Sequence, residues 1–231
     1  MSRLLAVLAA VVVIGGAALY LMWPATDAPT NVSLDVSTQA QTLDSQETQN
    51  TQATASDSVI AEMTLGNPDA PVTVIEYASF TCPHCARFHA EGFKQLKSDY
   101  IDSGKINFIY REVYFDRYGL WASMIARCAG PEKFFGMADL IYKGQSEWAR
   151  AGEPAAIIDQ LRKLGRLAGL GGDQLEACLQ DEDKARDLVA WYQQNAETDG
   201  IESTPSFLIN GKKYANMPYD DMARIIDEAA K

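Results

Sequence analysis

Cys82-Pro83-His84-Cys85 puts two thiols three positions apart at the point where a β-rich run gives way to helical periodicity. The run is Val72, Val74, Ile75 and Tyr77, with Pro71 on one side and the cysteine motif on the other. Pro83 stands where the first turn of a helix accepts proline. Phe88, Phe93, Leu96 and Tyr100 carry an apolar helical face to about Tyr100, and Gly104 stops it. Ile106, Phe108 and Tyr110 then alternate as a second strand. The rest of the chain must therefore fit around a βαβ unit with two thiols at its strand-to-helix junction.

Between about 117 and 199 no clear strand pattern occurs. Trp121, Met124, Ile125 and Cys128 follow helical spacing, as do Leu175, Cys178 and Leu179. Ala185, Leu188, Val189, Tyr192 and Ala196 form a longer stripe. Phe207, Leu208 and Ile209 restore strand chemistry, and Asn210-Gly211 is a hairpin signal leading into Lys212 to Tyr214. Pro218 opens a last helix with Met222, Ile225, Ile226 and Ala229 on one face. This order predicts an α/β domain over residues 60–231 with a helical block inserted at about 117–199.

Ahead of that domain lie two other kinds of sequence. Leu4 to Trp23 is uncharged and follows Arg3. About 20 apolar residues in a helix span the roughly 30 Å hydrocarbon layer. Residues 1–23 thus read as a signal anchor or a signal peptide. The run's length favours the anchor, and Arg3 places the N-terminus in the cytoplasm and the body outside. Residues 24–59 are rich in Thr, Ser, Gln, Asp and Ala, and their charges are Asp27, Asp35, Asp44, Glu47 and Asp57. Without an apolar face to bury, they read as a disordered acidic tether. The whole chain of 231 residues carries 20 Lys+Arg against 31 Asp+Glu, a net charge of −11. No basic stripe offsets that repulsion, which argues against a nucleic-acid partner.

The motif itself suggests redox chemistry. Two thiols one helical turn apart close a disulfide with little backbone movement. A thiolate at Cys82 faces first-turn N–H groups that lack intrahelical partners, and the positive end of the helix dipole. Each favours S⁻ over SH, so the Cys82 pKa should fall below the usual thiol value. Lowering it by about three is worth about 4 kcal/mol. The reduced form gains that energy and the disulfide does not, so the couple becomes oxidising. A low pKa also makes Cys82 a good leaving group. The rival is a metal site built from Cys82, Cys85, His84 and His89, but a structural zinc site usually draws on two separated ligand pairs. The thiol chemistry needs neither metal nor organic cofactor.

Val74-Ile75-Glu76-Tyr77-Ala78-Ser79-Phe80-Thr81-Cys82-Pro83-His84-Cys85 closely resembles the active-site segment of the DsbA thiol:disulfide oxidoreductases. These are thioredoxin-fold proteins with a helical insertion that introduce disulfides into exported proteins. DsbA is itself the known example of a depressed cysteine pKa and an oxidising couple, so the resemblance implies the same direction. It implies catalytic roles for Cys82 and Cys85, with Pro83 and His84 between them, and a tuning role for His84. Glu76 resembles the buried acid that assists proton transfer at the second cysteine; a solvent-facing strand residue is the alternative. Thr204-Pro205, before the third strand, matches a cis-proline loop that faces the active site and binds extended substrate; an ordinary turn proline is the alternative. Cys128 and Cys178 are expected to pair as a structural disulfide in an exported protein, with two buried free thiols as the alternative. The implied partners are reduced exported proteins and a membrane quinone-linked reoxidant of the DsbB type. The implied location is periplasmic, anchored to the inner membrane by residues 4–23. A disulfide isomerase or reductase of the same fold, and a metal-binding protein such as a copper chaperone, remain as alternatives.

Overall fold

The computed structural model describes residues 60–231; the apolar segment 1–23, expected to be a signal anchor or signal peptide, and the acidic tether expected over 24–59 lie outside the described residues. Val72–Ala78 (β2) is the central strand of a five-stranded sheet. Its neighbours are Ile106–Glu112 (β3), which runs parallel to it, and Ser206–Ile209 (β4), which runs antiparallel. Met63–Gly66 (β1) pairs antiparallel with the outer side of β3, and Lys212–Ala215 (β5) with the outer side of β4. A strand covered on both faces is expected to read as an almost unbroken apolar run, and β2 does.

Register across the sheet places Glu76 between Tyr110 of β3 and Phe207 of β4. Side chains alternate along a strand, so Val72, Val74 and Glu76 share a face with that row. Pro83–Ala90 (α1) packs against it: the Phe88 and Phe207 rings lie 4.9 Å apart, and the His89 and Tyr110 rings 5.8 Å apart. The opposite face buries Tyr77, Val113 and Leu208, with Tyr192 of the long helix Glu182–Thr198 packed on them.

Two features differ from the sequence reading. The helix after the motif does not run unbroken to Tyr100. It breaks at Glu91 (φ −123°, ψ −76°), restarts as Gly92–Leu96 (α2), and ends in a wide π turn over Lys97–Ile101. Strand β1 was not expected at all. Gly66 in that strand has φ +90°, and a Cβ there would meet the Ile106 carbonyl oxygen at 2.4 Å, so only glycine fits.

The insertion consists of Arg117–Cys128 (α3), Pro131–Lys143 (α4), Gln145–Trp148 (α5), Pro154–Leu167 (α6), Gly172–Leu179 (α7) and Glu182–Thr198 (α8). Cys128 and Cys178 are bonded to each other and join α3 to α7. Glu112, at the end of β3, is buried and accepts two hydrogen bonds from Arg127 at 2.6 and 2.7 Å and one from Ser123 at 2.9 Å. The Arg127 guanidinium also lies 5.4 Å from the Trp191 ring centre and 5.7 Å from that of Phe134. Among the described residues no helix is long and apolar enough to cross a membrane.

Removing one member of a buried pair leaves the other charge without compensation. Arg127→Met should destabilise the domain by about 3–5 kcal/mol, and adding Glu112→Gln should recover part of that. Denaturant unfolding of the single and double variants checks both points. Cys128 and Cys178 are 50 residues apart. On the chain-entropy argument, replacing both with Ala should cost up to about 4 kcal/mol. An unchanged unfolding midpoint would show that the bridge adds nothing to stability.

Candidate active site

The strand β2 ends at Ala78, and four residues carry the chain to α1. Cys82 caps that helix with extended dihedrals (φ −79°, ψ 119°). Its carbonyl accepts the first helical hydrogen bond from Ala86 N–H, and its own N–H donates to Ser79 O. No side chain caps this end. Pro83 has no N–H to leave unpaired, so the free first-turn amides begin at His84.

The Cys82 sulfur sits in that opening, with only 9% of the residue exposed. Its pKa falls to about 5. The largest cause is a hydrogen bond from the Cys85 thiol; partial burial opposes it, and the Thr204 side chain and the backbone N–H groups of Cys85 and His84 add to it. The last two of these are the helix-start groups expected from the sequence. The leading one comes from the second thiol and was not expected. His84 is exposed, and its contribution to the thiolate is through its backbone amide rather than its ring.

Cys85 has no exposed surface. Burial pushes its thiol well above the ordinary value, and the neighbouring Cys82 sulfur and the Glu76 charge push it further. Glu76 is fully buried beneath it, and both carboxylate oxygens face Nε2 of His89, at 3.1 and 3.0 Å. His89 is therefore engaged with a carboxylate. Among the described residues no group of three or more His, Cys, Asp or Glu side chains is placed to hold a metal ion.

On the other side of Cys82 lies the loop before β4. Thr204-Pro205 is a cis peptide, and Pro205 is buried. The Cys82 thiol points at the Thr204 carbonyl, with 3.4 Å between sulfur and oxygen. The Thr204 hydroxyl is buried without a hydrogen-bond partner while Cys82 is a thiol, and it is one of the groups that favours the thiolate. A groove of about 280 Å³ runs beside the motif, lined by His84, Arg87, Phe88, Met217, Pro218 and Tyr219.

Sequence reasoning did not find the residues that hold the loop before Cys82. Gln145 is buried and its side-chain amide donates to the carbonyls of both Phe80 and Cys82, at 2.8 and 2.9 Å. Tyr142 donates to Ser79 O at 3.3 Å. Asp116 caps α3 through the N–H groups of Tyr118 and Gly119, and its second oxygen accepts from the Thr81 hydroxyl at 2.9 Å. Only the 3.6-residue period links these positions, and it marks Gln145 as no more than a polar residue in a helical block.

The sequence profile described as thioredoxin matches residues 58–228. The chain belongs to the thioredoxin family. Within that family it is similar to the crystal structure of alpha-DsbA1 from Wolbachia pipientis, with 28% identity and a TM-score of 0.67 over 73% of this chain and 90% of that one. The thioredoxin fold with its inserted helices is thus of the DsbA kind. A protein of Rickettsia bellii named as a protein-disulfide oxidoreductase is 34% identical over 169 residues, or 73% of this chain. This chain spans 64% of that relative's length. Disulfide bond formation protein D of Bacillus subtilis is 25% identical over 179 residues, covering 75% of this chain and 79% of that protein.

Alkylation of the reduced protein should label Cys82 far faster than Cys85, with a rate that follows a pKa of about 5. Equal labelling of the two would contradict the assignment. Thr204→Val keeps the shape of the side chain and removes its hydroxyl. The Cys82 pKa, followed by thiolate absorbance, should rise in that variant. An unchanged value would leave the hydroxyl without a part in stabilising the thiolate.

Proposed function

We propose that this chain is an exported dithiol oxidase that passes the Cys82–Cys85 disulfide to reduced proteins outside the cytoplasm. The carrying observation is the opposite treatment of two adjacent thiols: Cys82 is favoured as a thiolate and Cys85 as a thiol. A couple whose reduced form is stabilised in this way is oxidising. The likeness to DsbA proteins supports the same reading.

In the reaction a substrate thiolate attacks Cys82 Sγ of the oxidised protein. The Cys82–Cys85 bond breaks, and Cys85 leaves as a thiolate that takes up a proton. A second substrate thiolate attacks the substrate sulfur of the mixed disulfide. The substrate disulfide forms, and Cys82 departs with the electron pair as a stabilised thiolate. The groove lined by Arg87, Phe88, Met217 and Pro218 offers a surface for the substrate chain beside Cys82. The Thr204-Pro205 loop offers backbone on the other side. Glu76, buried near Cys85, serves as its proton partner. Cys128–Cys178 serves as a structural bridge within the insertion.

Export rests on the apolar run over residues 4–23, which would tether the domain to the inner membrane on its periplasmic side. Reoxidation by a membrane quinone-linked partner of the DsbB type follows from the resemblance to DsbA.

The deciding measurement is the equilibrium of Cys82–Cys85 in a glutathione buffer. The potential should lie well above that of thioredoxin, and a value near about −270 mV would make the protein a reductase instead. The couple should also depend on pH in a defined sense. Cys82 has a depressed pKa in the folded reduced protein, so its stabilisation is full only above the ordinary thiol pKa of about 8.5. It diminishes as pH falls and is gone below about 5. The reduced form's stability advantage over the oxidised form should therefore shrink from pH 8 to pH 5, as measured by unfolding of both forms. An advantage that stays constant across that window would contradict the thiolate account.

A further inference from the structure

Cys85 must lose a proton to form the disulfide and regain one when the disulfide opens, yet it has no contact with solvent. Glu76, its buried neighbour, has none either. The next group outward is His89, one helical turn beyond Cys85 on the same side of α1. We propose that His89 is the relay through which Glu76 exchanges protons with solvent, using a small cavity between α1 and α4 as the outlet. This rests on the proposed thiol–disulfide exchange and on Glu76 as the proton partner of Cys85.

Nε2 of His89 faces both oxygens of Glu76, which leaves Nδ1 as the ring's second proton site. His89 keeps 6% of its surface, and it lines a cavity of about 60 Å³, large enough for water. Tyr142 also lines it, its ring stacked on the imidazole at 4.3 Å. Lys94, Asp139 and Lys143 line the rest, the last two paired at 2.5 Å. The titratable groups facing His89 are thus Glu76 from β2, Tyr110 from β3, Cys85 from α1, Tyr142 from α4, and those three at the cavity. Tyr110 and Tyr142 share a hydrogen bond of 2.7 Å, and burial pushes both phenols far above their ordinary range. They stay neutral and do not compete for the proton. A histidine suits the task because it gains and loses a proton near neutrality at two distinct nitrogens.

The protons balance over a full cycle. When substrate opens the disulfide, Cys85 leaves as a thiolate, and the Glu76 carboxylate takes the Nε2 proton of His89 and hands it on to that thiolate. Glu76 is a carboxylate again, and Nδ1 takes up a proton from solvent. His89 is then neutral with its proton on Nδ1. On reoxidation the Cys85 thiol gives its proton to Glu76, which passes it to Nε2, while Nδ1–H is released to solvent. The ring returns to its first tautomer without turning over, because the two half-reactions drive protons in opposite directions. A purely structural ion pair would need neither the second nitrogen nor the outlet.

The test is the intramolecular step in which Cys85 displaces glutathione from a Cys82–glutathione mixed disulfide. His89→Gln should slow that step about 100-fold, the lower end of the range for loss of an acid–base group. It should also alter the step's pH profile between about pH 5 and 8. His89→Ala should be slowed similarly and accelerated by added imidazole, which a structural role would not produce. A folded His89→Gln with the wild-type rate and pH profile overturns the relay, as does a slow His89→Ala that imidazole leaves unchanged. If neither variant folds, the wild-type step should show a solvent deuterium isotope effect, and its absence overturns the relay. Glu76→Gln separates the two readings. If it leaves the step unaffected, Glu76 is not the proton partner of Cys85. If it slows the step while His89→Gln does not, only the relay fails.

Discussion

One turn of α1 has to hold two sulfurs within hydrogen-bond reach and give them opposite surroundings. The start of a helix is suited to this, because the residue at the cap meets free amides while the residue three positions on is turned into the core. Cys82 therefore meets N–H groups and Cys85 meets the sheet. The arrangement depends on burial of Cys85 being complete. Partial access would let water solvate its thiolate and lower its pKa, and a deprotonated Cys85 has no proton to donate to Cys82. The leading stabiliser of the Cys82 thiolate is thus a consequence of how well the second cysteine is packed.

That packing is fixed from two directions. From below, β2 brings Glu76 up between Tyr110 and Phe207. From the side, the helical insertion grips the short connection between β2 and α1. Gln145 bridges the carbonyls of Phe80 and Cys82, and Asp116 ties Thr81 to the start of α3. The Phe80 carbonyl has no other partner among the described residues, so leaving it unpaired would cost about 1–3 kcal/mol. The insertion therefore acts on the chemistry by positioning the backbone. Its own anchor to the sheet is the Arg127–Glu112 pair at the end of β3.

Much of this was legible because it follows from local periodicity. The strand before the motif, the helix opened by Pro83, the Asn210-Gly211 hairpin and the inserted helices all carry their own signals. Glu76 shares parity with Val72 and Val74, so its place on a buried face could be read from alternation alone. Strand β1 could not be read, because it has four residues and only Met63 is buried. It is held by pairing with β3, a contact between distant parts of the chain. The break at Glu91 was missed because no proline marks it. His89 was read only as a candidate metal ligand, because its partner comes from β2, which only the tertiary fold brings there. Gln145 had no signal of any kind.

The burial that separates the two thiols creates a second demand. A sulfur that is shielded enough to be a poor acid cannot exchange its proton directly with water, yet each half of a dithiol cycle moves one proton at that atom. The fold thus has to supply a route wherever it supplies the shielding. On the exposed side of α1 the route would run past Cys82 and interfere with the mixed disulfide. On the inner side it can run through Glu76 without touching the reacting sulfur. Placing a carboxylate there also raises the Cys85 pKa further, so the group proposed to carry the proton also strengthens the asymmetry between the two thiols. On the proposed reading, redox poise and proton transfer are both set by one buried row of side chains.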